Sequence, residues 1–324
     1  MGWLRSLSVE QQVGLLFVVL FGVLALCSVG GVLWALREPR SDHERAARER
    51  FGRDLRAVWF GAVLFWLGWL SGAVGATLLF GVLAFLALRE FVTLMHTRRS
   101  DHRALLAAFF VILPLQFVLA GGRWFNLFSV FIPVYAFIAL PVISALAGDP
   151  ERFLERNAKL QWGLMVCAFG LSHVPALLLL EFRGYGGRGA FLLFFLVVVA
   201  ALAQIAQELA SHWLRRRPAV RAISRSFSWR AWVAGVLAGA VAGAALYWIT
   251  PFKPWQAFAM AALAGGAGQM GELVMKALKK DAGVQYWGPQ ASVTGAVGLL
   301  DRIAPLAFSA PVFFHSLRWY FSLP

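Results

Sequence analysis

Long runs of apolar residues without a single charge constrain this chain more than any other feature. Residues 11–36 and 104–122 contain no Asp, Glu, Lys or Arg, and several similar runs follow. A run of about 18 or more apolar residues can cross the hydrocarbon core of a bilayer as a helix. Hydrophobic residues make up 60% of the chain and charged residues only 14%, which excludes an ordinary water-soluble domain. The sequence therefore predicts an integral membrane protein.

The apolar runs predict an all-α, polytopic protein of about ten transmembrane helices, because an isolated segment in lipid satisfies its backbone only as a helix. The stretch 57–88 is too long for one span, and Ser71-Gly72 is the predicted break within it. We predict three parts: a first span with a charged cytoplasmic linker (1–56), an N-terminal bundle (57–189) and a C-terminal bundle (190–324). The predicted spans are 11–36, 57–71, 74–90, 104–121, 124–147, 160–180, 190–209, 231–250, 255–275 and 303–321.

Lysine and arginine are distributed unevenly between the loops on the two sides of these spans. Alternate loops, beginning with 37–56 and ending with 276–302, hold 24 of the 30 basic residues. Basic loops face the cytoplasm, so we expect these loops there and both termini on the other side. The net charge of +14 is then an orientation signal, and we expect no nucleic-acid partner, because no soluble domain presents a basic patch.

The most informative stretch is 271–303, the last basic loop with its flanks. Two acids bracket the loop, Glu272 at the end of one span and Asp301 at the start of the next. Lys276, Lys279 and Lys280 follow Glu272 at helical spacing and could meet phosphate oxygens, while a divalent cation could bridge the acids to a phosphate. Anchoring of the helix ends at the membrane surface explains the same residues without any ligand.

These residues resemble the signature of phosphatidate cytidylyltransferases, also called CDP-diacylglycerol synthases. That family carries G-D-L, then S-x-x-K-R, A-G-[IV]-K-D, and finally D-R-I-D; here 271–273 reads G-E-L, 279–280 K-K, 282–284 A-G-V and 301–303 D-R-I. Residues 85–91 (F-L-A-L-R-E-F) resemble the family's "LALxEY" helix end. Residues 148–150 and 169–173 resemble a bacterial branch, which implies a multi-pass protein of the bacterial inner (plasma) membrane.

The resemblance implies a reaction in which a lipid phosphate, phosphatidate or another, attacks the α-phosphorus of CTP with Mg²⁺, giving a CDP-lipid and pyrophosphate. Metal ions and basic side chains would share the phosphate charge. It implies catalytic roles for Asp301, Arg302, Lys279 and Lys280, and metal binding by Glu272 and Asp301. A lysine after the ninth span, two arginines before the eighth and a polar residue in the seventh are the candidates for holding CTP. These candidates are Lys276, Arg225, Arg230 and Gln204.

The chain departs from the family pattern at several charged positions. Glu272 replaces Asp, Lys276 replaces Ser, and Ala304 replaces the last Asp of D-R-I-D. The K-D pair falls on Gln285-Tyr286. Two hypotheses stay open: a working nucleotidyltransferase with a rearranged site, or a catalytically inactive homologue that binds anionic lipid or partners another membrane lipid enzyme. A transporter or channel is less favoured, because no mid-membrane charge pair and no internal symmetry are found.

Two further features concern packing. Gly235, Gly239 and Gly243 recur every fourth residue and predict a close-packing face for another helix or for a second protomer, so a homodimer is plausible. His173 lies in the middle of a predicted span, where a lone histidine favours a hydrogen bond between helices over a ligand.

Overall fold

The computed structural model describes residues 7–37, 42–93, 97–182, 185–186, 188–214, 218–224, 226–284 and 298–323. These residues form helices and turns, and no β-strand occurs among them. The prediction of an all-α chain is confirmed for this part of the protein.

Ten helices follow one another along the described residues, and each predicted span falls on one of them. Six of them, α1 and α3–α7, are long and apolar enough to cross a membrane by length and composition. The others are shorter or less apolar, so the count of ten crossings and the placement of the termini stay predictions. The helices are α1 (Val9–Ala35), α2 (Asp42–Leu70), α3 (Gly72–Val92), α4 (Arg99–Gly121), α5 (Phe125–Ala145), α6 (Phe153–Leu178), α7 (Gly189–Trp213), α8 (Trp229–Ala245), α9 (Pro254–Asp281) and α10 (Leu299–Phe321).

The chain divides into two compact units, Met1–Gly72 and Ala73–Pro324. In the first unit α1 packs on α2, where the Trp59 indole N–H donates a hydrogen bond to Ser28 Oγ at 3.0 Å. Most of the charged segment is helical, because α2 runs without interruption from Asp42 into its apolar half. The three-part organisation of the whole chain stays a prediction.

The break at Ser71-Gly72 is confirmed. Helix α2 ends at Leu70 and α3 begins at Gly72, whose φ of +65° lies in the left-handed region. Glycine adopts this conformation without the steric penalty that a Cβ atom brings. Two helices, α2 and α3, therefore share the apolar stretch that would otherwise be too long for one span.

In the second unit, α7, α8, α9 and α10 pack closely through small residues. A Cβ added at Gly239 of α8 would lie 3.0 Å from Ala203 Cβ and 3.2 Å from Val199 O, both on α7. The glycine face predicted from the sequence thus contacts a helix of the same chain. A homodimer stays a prediction.

Helices α6 and α10 contact each other through two histidines. His173 Nε2 lies 3.1 Å from His315 Nε2, and His173 Nδ1 lies 2.7 Å from the Phe169 carbonyl oxygen. His173 is fully buried. The hydrogen bond between helices predicted for His173 is confirmed.

Candidate functional site

The end of α9 brings together two of the predicted site residues. Glu272 and Lys276 lie one helical turn apart, and Lys276 Nζ is 2.5 Å from Glu272 Oε1. Residues four apart on a helix face the same side, which makes this pair a consequence of local geometry. The helix ends two residues before Gly283, whose φ of +67° turns the chain away.

A second ion pair joins α9 to α10. Lys279 Nζ lies 2.5 Å from Asp301 Oδ1, and the two side chains are 15% and 38% exposed, respectively. Glu272, Lys276 and Lys279 lie on one face of α9, since they are four and three residues apart. The two sides of the loop therefore meet through a lysine of α9 and an aspartate of α10.

The first turn of α10 is held by a residue from a distant helix. Leu299, the first residue of α10, donates its backbone N–H to Glu90 Oε2 at 2.9 Å. Glu90 lies near the end of α3 and is only 3% exposed. Its carboxylate is close enough to Asp301 and Arg302 to interact with both electrostatically.

The other predicted site residues are less closely connected. Lys280 and Arg302 are exposed and lie next to the paired Lys279 and Asp301, so they are near the ion pair. Gln204 of α7 is half-buried, and Arg230, the second residue of α8, is exposed. No contact joins Gln204 or Arg230 to the ion pairs in the described part of the chain. Arg225 lies outside the described residues, as does the Gln285-Tyr286 pair.

Helix α7 nevertheless packs on α9 just before the site. Gln269 of α9 donates its side-chain N–H to the carbonyl oxygen of Ala203 at 2.7 Å, and Gln269 is almost fully buried. Ala203 precedes Gln204, and Gln269 precedes Glu272 by three residues. The buried Gln269 amide therefore fixes the axial position of α9 against α7, one turn before the ion pair of Glu272 and Lys276.

A further charged cluster joins the segment around residues 98–101 to the segment that follows α5. Arg156, 7% exposed, lies 3.1 Å from Asp101 and 3.2 Å from Asp149 through Nη1, which also donates to Ser100 Oγ at 2.7 Å. The hydrogen bond from Ser100 Oγ to Asp149 is the largest of the effects that lower the pKa of that carboxyl. The charged groups of this cluster are paired with one another, which is typical of a structural clamp. The segment Gly148-Asp149-Pro150 is part of this clamp.

The residues that could hold a metal ion are few. Across the residues described, no group of three or more His, Cys, Asp or Glu side chains is placed to bind a cation. Mg²⁺, however, is commonly held by one or two carboxylates together with substrate phosphates and water. Glu272 and Asp301 provide two carboxylates on neighbouring helices, each paired with a lysine.

Glu90 lies in the segment 85–91, but no role for it was predicted from the sequence. A signal was present, because an ionisable residue near the end of an apolar span has a functional or pairing role by default. Its partner, however, lies 209 residues away in the chain. Local patterns could not name that partner.

The helices and the paired acids and lysines define a helical membrane protein with one charged cluster where α9 and α10 meet. Residues 52–320 match the model of the Cytidylyltransferase family, and the chain belongs to that family. It is also similar to the uncharacterized protein YnbB of Escherichia coli strain K12. The two are 34% identical over 314 residues, which cover 96% of this chain and 98% of YnbB.

Proposed function

We propose that the protein transfers the cytidylyl group of CTP to a lipid phosphate, with phosphatidate as the first substrate to test. A phosphate oxygen of the lipid would attack the α-phosphorus of CTP, forming a new P–O bond. The bond between the α-phosphorus and its bridging oxygen would break, and pyrophosphate would leave. The products would be CDP-diacylglycerol and pyrophosphate.

The pairing of Lys279 with Asp301 is the observation that carries this proposal. It joins the two ends of the signature stretch in a member of the Cytidylyltransferase family. A triphosphate could replace the lysine's present partner, because the ammonium group binds phosphate oxygens as well as a carboxylate. If Lys276 turned to the triphosphate in the same way, both Asp301 and Glu272 would be free to hold Mg²⁺ against the phosphates, and the cation would offset charge on the transferring group.

The remaining predicted residues would act around this centre. Lys276, Lys280 and Arg302 would share the charge of the leaving pyrophosphate, since preorganised cations stabilise charge as it develops. Arg225, Arg230 and Gln204 are proposed to hold CTP. The site would open to the cytoplasm for CTP and to the bilayer for the lipid, which agrees with a place in the bacterial inner membrane.

Transfer assays with purified protein test the proposal directly. The protein would be incubated with CTP, phosphatidate and Mg²⁺, and CDP-diacylglycerol and pyrophosphate would be measured together. We expect equal amounts of both products, and loss of both in Asp301→Asn and Lys279→Met. Gln256→Ala serves as the control, because its side chain contacts Tyr320 at the opposite ends of α9 and α10. Absence of product with every lipid phosphate and divalent cation tried would refute the transferase.

A second function, binding of anionic lipid without catalysis, is favoured by one observation. Both acids of the site already have a lysine partner at 2.5 Å, so the charges are balanced without a cation. Such a protein would carry phosphatidate through purification but would not be protected from thermal unfolding by CTP. Protection by Mg²⁺ and CTP that is lost in Lys279→Met would instead favour the transferase.

A further inference from the structure

Glu90 is the acidic residue of this region whose surroundings differ most from those of Glu272 and Asp301. Each of those two has a lysine partner and is partly exposed, whereas Glu90 is 3% exposed. Its Oε2 accepts a hydrogen bond from the Leu299 backbone N–H at 2.9 Å, and the Leu300 backbone N–H also donates to this carboxylate. A buried carboxylate is costly, so one that is held in this way requires an explanation.

The start of α10 explains why a carboxylate is placed there. The N-cap residue of α10 is Gly298, whose φ is +67° and which has no side chain that could accept the free N–H groups of the first turn. The first backbone N–H groups of a helix need acceptors, and the positive end of the helix dipole favours an anion. Glu90 supplies from α3 the acceptor that the N-cap residue Gly298 lacks.

The anchored turn is the one that carries the site. Asp301 is the third residue of α10, two residues after Leu299, and its carboxylate contacts Lys279. A rotation of the first turn by one residue moves a side chain by about 100° around the helix axis, since a helix has 3.6 residues per turn. An unanchored start would therefore leave Asp301 without a fixed direction.

We propose that Glu90 is a positioning residue of this site, which fixes the first turn of α10 and thereby directs Asp301 toward Lys279. This inference rests on the proposed use of that site for CTP and Mg²⁺. Glu90 would not touch the reacting atoms. Its role would be that of the supporting groups behind metal and phosphate ligands, whose loss typically weakens binding or activity about 10–100-fold.

Three variants separate positioning from general stability. Glu90→Gln keeps a side-chain carbonyl oxygen for the Leu299 N–H, and Glu90→Leu removes the acceptor at similar size. Tyr185→Phe is the control, because it removes another buried long-range hydrogen bond, from Tyr185 to the Ile249 carbonyl oxygen, away from the site. Hydrogen–deuterium exchange of the peptide that begins at Leu299 reports the anchor. Protection from thermal unfolding by Mg²⁺ and CTP reports the affinity of the site.

We expect Glu90→Leu to speed exchange at the start of α10 and to weaken CTP binding by about 10–100-fold. Glu90→Gln should retain most of both, and Tyr185→Phe should lower the melting temperature without changing either. Unchanged exchange in Glu90→Leu would show that no anchor exists. Faster exchange with unchanged CTP affinity would reduce Glu90 to a structural role and overturn the proposal. If the wild type does not bind CTP, the proposed function fails together with this role, while the exchange result still decides whether the anchor exists.

Discussion

The ion pair between Lys279 and Asp301 can be measured by a double-mutant cycle. Lys279→Met keeps most of the side-chain stem and removes the charge, and Asp301→Asn keeps the shape of the carboxylate. The atoms Nζ and Oδ1 are 2.5 Å apart, and the side chains are 15% and 38% exposed. The pair therefore lies between a solvent-exposed and a fully buried ion pair, and its strength should lie between theirs.

The expected coupling free energy follows from these exposures. Exposed pairs contribute about 0.2–1 kcal/mol, and breaking a buried pair costs about 3–5 kcal/mol. We expect a coupling of about 1–2 kcal/mol for Lys279 and Asp301, with weak dependence on salt because the lysine is mostly shielded. The exposed pair of Lys159 and Glu155, four residues apart on α6, is the control, and we expect about 0.3–0.5 kcal/mol there.

Unfolding of the four proteins of each cycle would be followed in one detergent, at low and high salt. Transfer activity and CTP protection would be measured on the same preparations. A coupling for Lys279 and Asp301 no larger than that of the control pair would contradict the contact between α9 and α10. The central argument for a joined site would then be lost, whatever the activity of the variants.

Three further predictions concern the rest of the fold. Gly235→Ala should lower the free energy of unfolding by about 1–3 kcal/mol, because the added Cβ would lie 2.5 Å from Ala203 O. Gly22→Ala is the control and should not lower it, because no atom lies within 4 Å of the added Cβ. Equal stability of both variants would argue against the packing of α8 on α7. The hydrogen bond from Ser100 is the main cause that lowers the pKa of Asp149 in the folded protein. Ionised Asp149 should therefore stabilise the fold at any pH above the ordinary aspartate pKa. This stabilisation should be lost as the pH falls through the lowered pKa. Asp149→Asn should therefore flatten the acid side of a melting curve against pH, and an unchanged curve would contradict the clamp. His173→Phe should cost about 1 kcal/mol in thermal unfolding by removing the contact with His315, and no loss would make that contact unimportant.

Much of the candidate site could be named from the sequence, because its members are close in the chain. Lys276 was expected near Glu272 from helical spacing alone, and the two form an ion pair. The bracketing of one loop by Glu272 and Asp301 indicated that the ends of the stretch would meet. The contact between Lys279 and Asp301 could not be predicted, because it depends on the axial register of α9 against α10.

The helical membrane character and the positions of the breaks, such as Ser71-Gly72, could be predicted from the amino-acid sequence. Both follow from hydropathy and backbone preferences, which act between neighbours in the chain. Three contacts could be seen only in the folded chain: the glycine face of α8 against α7, Arg156 between Asp101 and Asp149, and Glu90 with Leu299. These contacts depend on the crossing angles and depths of packed helices, which are set by the fit of many side chains at once and not by any local pattern.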